Sequence, residues 1–196
     1  YLQEMKARYG ELYWKRCHQL PGTVVCPEHG CALQLSHLQP NVRGRFEYVA
    51  ATHRECSSDC PRVETPTGKA LARLWEVARR SASLLTDPGN PRDLATWTAH
   101  YRLEMARSGL AWSPQRMRQA ELLGLFHEFY GEAMDYLSAE CEGIELSEKW
   151  LPSMVRKHRK VAHPLQHIML EAFLASRSRS DGPFGRGPWP CCNPLA

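Results

Sequence analysis

The sequence predicts a mainly α protein with a small β region at its N-terminal end. Two observations carry that prediction. Five of the eight cysteines fall within residues 1–63 among closely spaced turn signals, and apolar side chains recur from residue 64 onward at intervals of three, four and seven. Short hairpins suit the first stretch and amphipathic helices the second.

In the first stretch, Leu20-Pro21-Gly22, Gln39-Pro40-Asn41 and Arg43-Gly44-Arg45 mark turns. The best strand candidates are Gly22 to Cys26, with adjacent β-branched residues, and Arg45 to Val49, where ring and charge alternate. In the second stretch (64–180), Thr65 or Thr67 caps a helix entered through Pro66, with Leu71, Leu74, Ala78 and Leu85 on one face. Asp87-Pro88-Gly89 breaks it. Asp93 caps the next helix, whose stripe of Leu94, Trp97, Tyr101 and Met105 ends at Gly109. Ser113-Pro114 starts a third, carrying Met117, Ala120 and Phe126, and a fourth passes through Met134 and Leu137. A fifth runs over 147–159 with Trp150, Leu151, Met154 and Val155 inward, and a sixth starts at Pro164. Residues 181–196, rich in Gly and Pro, form a linker.

Composition excludes some classes. With 196 residues, 43% hydrophobic and 23% charged, the chain has enough apolar material for a core. No apolar run approaches the roughly 18 residues of a membrane span. The opening Tyr1-Leu2-Gln3-Glu4-Met5 has no secretion-signal pattern and suggests a chain cut from something larger. Eight cysteines without such a signal fit a reducing, cytoplasmic compartment, where thiolates bind metal more often than they pair.

Cys26-Pro27-Glu28-His29 is the sharpest motif. Two ligands three positions apart on a tight turn can grip one face of a tetrahedral zinc ion, and two more must come from elsewhere. Cys56 and Cys60, a C-x3-C pair in a turn rich in Ser and Asp, complete a zinc ribbon of Cys26, His29, Cys56 and Cys60. Cys17 and Cys31 read as plain buried thiols. His163 and His167 read as capping and packing residues around Pro164.

The net charge of +4 allows nucleic acid without demanding it. Residues 147–180 hold seven Lys/Arg against two acids, densest at Arg156, Lys157, Arg159 and Lys160. Cations on one helix turn and the loop after it can neutralise several phosphates. A helix over 147–159, a short turn and a helix from Pro164 have helix-turn-helix spacing. The pair 93–108 and 113–126, joined through Gly109, is a second such candidate, with Arg116 and Arg118 in the first turns of its recognition helix. The sequence contains no phosphate-binding loop, nucleophile elbow, H-E-x-x-H or paired-carboxylate motif, and the chain is read as no enzyme.

Tyr9-Gly10-Glu11, Tyr13-Trp14, His18-Gln19-Leu20-Pro21-Gly22 and Val25-Cys26-Pro27-Glu28-His29-Gly30 together resemble the TniQ domain of the TnsD/TniQ family of transposon target selectors. In that family a C-P-x-C turn precedes the segment equivalent to Tyr1 to Tyr9 and joins the C-x-x-H in binding zinc. Here either the chain begins after that pair, or the pair is substituted and Cys56/Cys60 take its place. The block Trp150-Leu151-Pro152-Ser153, Arg156 to Lys160 and Pro164-Leu165-Gln166-His167 also resembles the family. So do Pro183-Phe184-Gly185, Gly187 to Cys191 and Asn193-Pro194, as the opening of a truncated second Cys-rich module. The resemblance implies three regions: a TniQ-type zinc ribbon (1–63), a helix-turn-helix-like DNA-binding part (64–180), and a linker with the start of that module (181–196). It implies a selector that binds double-stranded DNA at an attachment site, or meets a guide-RNA effector complex, and recruits the AAA+ ATPase TnsC. A zinc hydrolase would need an open coordination position. An adaptor would keep the zinc fold and bind no DNA.

Overall fold

The structure is a computed structural model and describes residues 2–38, 48–57, 59–60, 65–113, 116–141, 143–146 and 149–177. The linker and second module (181–196), the turns at 39–45 and most of the second strand candidate lie outside the described residues.

From residue 68 onward the helices form close to where the apolar spacing places them, and one more forms near the start of the chain. They are α1 (Leu2–Tyr9), α2 (Gly68–Ser83), α3 (Leu94–Arg107), α4 (Gln119–Tyr130), α5 (Ala133–Glu140), α6 (Trp150–Arg156) and α7 (Pro164–Arg177). Asp93 caps α3 as expected, its Oδ1 accepting the Thr96 N–H at 2.6 Å. At the other end Gly109 takes φ +70°, the Leu110 N–H reaches the Met105 carbonyl (2.8 Å) and the Gly109 N–H that of Ala106 (3.1 Å). These are the paired bonds of a Schellman motif, closed by two buried side chains, Met105 and Leu110. His163 caps α7: its Nδ1 accepts the Leu165 N–H, and the Gln166 carboxamide returns to its backbone N–H at 2.9 Å.

The core sits where α2 packs on α7 and α5, and α3 on α6. Leu74, Met105, Leu122, Leu151, Met169 and Phe173 are withdrawn from water. Each such side chain contributes about 1.5–3 kcal/mol of transfer free energy. The Tyr130 hydroxyl, buried among them, donates to the Met169 carbonyl at 2.8 Å, so this polar atom is satisfied. No helix among the described residues is long and apolar enough to cross a membrane.

Three expectations are corrected. First, the stretch that was to open a helix at Ser113 forms a hairpin instead, β1 (Ala111–Ser113) against β2 (Arg116–Met117), and α4 starts only at Gln119. The Arg118 N–H closes the hairpin onto the Leu110 carbonyl at 2.9 Å. The connection from α3 to α4 is therefore too long for the three- or four-residue turn of a helix-turn-helix. Second, α6 ends at Arg156 rather than 159, because Lys157 is extended (φ −160°, ψ 119°) and the His158 N–H turns to Thr98 Oγ1 on α3 (3.0 Å). The link to α7 is correspondingly longer than a helix-turn-helix turn. Third, among the described residues of 1–63 the bridged positions are Val25, paired with Ala32, and Gln34, and helical structure that the sequence reading did not place stands at α1 and in a 3-10 turn at Arg16–Gln19.

Candidate metal and nucleic-acid sites

The Cys26-Pro27-Glu28-His29 turn is closed by its own backbone. The Gly30 N–H donates to the Cys26 carbonyl and the Cys26 N–H to the Cys31 carbonyl, each at 2.8 Å. Gly30 supplies the positive φ of +66° that the turn requires. The turn is braced from both sides: the Trp75 indole of α2 donates to the Pro27 carbonyl at 2.9 Å, and Lys15 meets the Glu28 carboxylate at 2.6 Å. That hydrogen bond from Lys15 holds the Glu28 carboxyl below its usual range.

Cys26 is buried, His29 is exposed, and Cys26 Sγ lies 3.3 Å from His29 Nδ1. A zinc ion with about 2.3 Å to sulfur and about 2.0–2.1 Å to nitrogen at a tetrahedral angle would separate them by about 3.5 Å. The pair therefore fits one edge of a zinc coordination sphere. Cys56 and Cys60 form a second pair. The Cys60 thiol reaches the Glu55 carbonyl (3.5 Å) and Ser57 Oγ (3.9 Å), while His37 Nε2 meets Ser57 Oγ at 3.0 Å. Burial, and then the neighbouring Cys60, push the Cys56 thiol pKa up. The two pairs are not gathered around one point, since the described residues contain no group of three or more His, Cys, Asp or Glu placed to hold a metal. Cys17 is half-buried, with its pKa raised by that burial, and Cys31 is exposed, so neither is the core thiol expected.

The basic segment is displayed at the end of α6. Arg156, Lys157, Arg159 and Lys160 are all exposed, and among the described residues none of them pairs with a carboxylate. Arg116 and Arg118 behave differently. Arg116 stands exposed on β2, whereas the Arg118 guanidinium lies 3.9 Å from the centroid of Trp112, itself 68% exposed, and 3.1 Å from Glu121.

Sequence reasoning missed the ring slot behind the basic segment. Trp97 and Tyr101 of α3, His158 and His167 lie in stacked or tilted contact, Tyr101 Oη is 2.8 Å from His167 Nδ1, and His100 meets Glu171 at 3.4 Å. Burial lowers the His167 pKa to about 4 and raises that of Tyr101, and the His100 imidazole beside Glu171 lowers that of its carboxyl. Only the spacing of Trp97 and Tyr101 on one face hinted at this slot. The two histidines come from a different part of the chain.

These features describe a helical protein with a docked C-x-x-H turn and an exposed cationic edge. The family model for Tn7-like transposition protein D (TnsD) matches residues 77–196. The chain is 31% identical over 175 residues to the Transposon Tn7 transposition protein TnsD of Escherichia coli, covering 85% of this chain and 32% of that protein. It belongs to the TnsD family, and it spans about a third of the length of the curated relative it matches.

Proposed function

We propose that this chain is the part of a transposition target selector that engages double-stranded DNA at an attachment site and helps recruit the AAA+ ATPase TnsC, breaking no bonds itself. The observation carrying this reading is the edge of four exposed cations at Arg156, Lys157, Arg159 and Lys160, none of them paired with a carboxylate among the described residues, in a chain of the TnsD family. A cation without an internal partner is available to phosphate, and each contact releases a counterion on binding. A structural zinc ion, held in part by Cys26 and His29, would fix the N-terminal turn. Its remaining ligands come from outside that pair.

The test is duplex binding as a function of salt. Neutralising any one of the four should weaken binding to all sequences alike and reduce the slope of log affinity against log salt by about one. Arg116 is the better placed base reader, because Arg118 is already engaged by Trp112 and Glu121. Arg116→Ala should cost about 1–3 kcal/mol on the attachment site and little on random duplex, with Arg118→Ala costing less. A chain showing no salt-dependent duplex binding would be the adaptor instead.

A further inference from the structure

His158 interrupts the basic run, and it alone of Arg156 to Lys160 is buried, at 6% exposure. Its ring enters the slot between α3 and α7. It stacks on Tyr101 (5.6 Å between centroids, 12° between planes) and His167 (5.5 Å, 17°), with Trp97 at 6.4 Å and 26°. Two backbone latches flank it: its own N–H donates to Thr98 Oγ1 at 3.0 Å, and the Arg102 guanidinium donates to the Arg156 carbonyl at 3.3 Å. Among the described residues neither ring nitrogen has a hydrogen-bond partner in good geometry, so the ring contacts are chiefly stacking.

The chain is extended at Lys157, and successive side chains of an extended segment point to opposite sides. Burying position 158 therefore turns 157 and 159 outward together. We propose that His158 is a positioning residue: its ring keys the segment onto α3 and so presents Arg156, Lys157, Arg159 and Lys160 as a preformed ridge for the phosphates of duplex DNA. This rests on the DNA-binding reading above. Without the key, the link between α6 and α7 is an ordinary loop that must be ordered on binding, at a cost in conformational entropy. The number of cations does not change, so the counterions released do not change either. The anchor is thus separable from the charges it presents.

The experiment measures binding of the chain to a random-sequence duplex over a range of salt, for His158→Ala, His158→Phe, Thr98→Val and the double variant Lys157→Gln/Arg159→Gln. His158→Ala should weaken binding about tenfold at every salt concentration with an unchanged slope, since only ordering is lost. His158→Phe, which keeps a stacking ring, should restore binding to within about twofold. Thr98→Val removes one latch without emptying the slot and should weaken binding about threefold, again without changing the slope. This variant decides the matter if His158→Ala fails to fold. The double variant should lower the slope by about two. Amide exchange should accelerate over 156–160 in His158→Ala and stay unchanged in α2. If His158→Ala, or Thr98→Val where His158→Ala does not fold, binds like the parent while the double variant loses slope, the anchor is overturned and the DNA reading stands. An unchanged slope in the double variant overturns both.

Discussion

The described residues of 68–177 close around side chains that no water reaches, such as Leu74, Leu122 and Met169, whereas the described residues of 2–60 bury only a handful, among them Met5, Val24, Val25 and Cys26. The helical part is held by the contacts of its own apolar stripes. The N-terminal part leans on it: Gly22 packs against Leu137 and Leu165, and the Trp75 indole fastens the Pro27 carbonyl. Where the described residues show so little apolar burial and so few ladder bonds, a further fastening would help to offset chain entropy. The Cys26–His29 edge is the place where a metal would supply it.

The largest effect should come from removing that fastening. Cys26→Ser is expected to lower zinc content and cost the N-terminal part several kcal/mol, because metal binding energy there is folding energy. Amides such as Gly30 and Leu33, whose bonds close the turn, should lose exchange protection while α2 and α7 keep theirs. Loss of protection in both parts together would mean one cooperative unit and dissolve the contrast. Chelation of metal from the parent chain should have the same effect as the substitution.

A smaller effect should be confined to the helical part. His167, in contact with Tyr101 and His158 and near Glu171, His100 and Arg92, has its pKa lowered from 6.5 to about 4, first by burial. A histidine kept neutral in the fold binds its proton more readily when unfolded, so its contribution is complete above pH about 6.5 and is lost as pH falls from there to about 4. The shift corresponds to at most about 3 kcal/mol, which partial solvent access reduces to about 1–2 kcal/mol. Helix melting by circular dichroism should therefore fall by several degrees between pH 7 and pH 5. His167→Asn, which keeps an acceptor for the Tyr101 hydroxyl but cannot titrate, should lose a clear part of that dependence, the rest belonging to His158 and His18, whose burial lowers their pKa as well. An undiminished dependence would place the titrating group elsewhere.

Legibility in the sequence follows the same division. The stripes Leu71-Leu74-Ala78 and Leu94-Trp97-Tyr101-Met105 located α2 and α3, because helical burial repeats locally and a single strand of text contains it. The Asp93 cap, the Gly109 stop and the roles of His163 and His167 were readable for the same reason. The hairpin at Ala111–Met117 was not, since Ser113-Pro114 is also a helix-entry signal, and what accompanies the hairpin, the Arg118–Leu110 bond and the Trp112–Arg118 stack, leaves no periodic pattern in the text. The end of α6 was hidden because Thr98, far away in sequence, takes the His158 N–H. Of the candidate site, the closeness of Cys26 and His29 within one turn could be read from spacing. The separation of Cys56 and Cys60 from them could not, because spacing says nothing about where two distant turns dock.

The smallest expected effect tests the joint between the two parts. Trp75 sits on α2, 38% exposed, with its ring 3.5 Å from where a side chain on Gly30 would begin and its Nε1 donating to the Pro27 carbonyl. Trp75→Phe keeps a ring beside Gly30 but removes the donor, leaving the carbonyl of the C-x-x-H turn to water. A hydrogen bond at a partly exposed site contributes about 0.5–1.5 kcal/mol, so exchange of the Cys26 to Gly30 amides should quicken by about tenfold at most, with the helix melt almost unmoved. The metal would then be held by the same ligands in a looser turn, and its release to a chelator should speed up by a similar factor. A variant whose turn is unchanged would show that the N-terminal part keeps its shape without the bundle and that its dependence on α2 is one of position only. A variant whose helices melt earlier by as much as the turn loosens would show the opposite, that the two parts share one unfolding transition through this single indole.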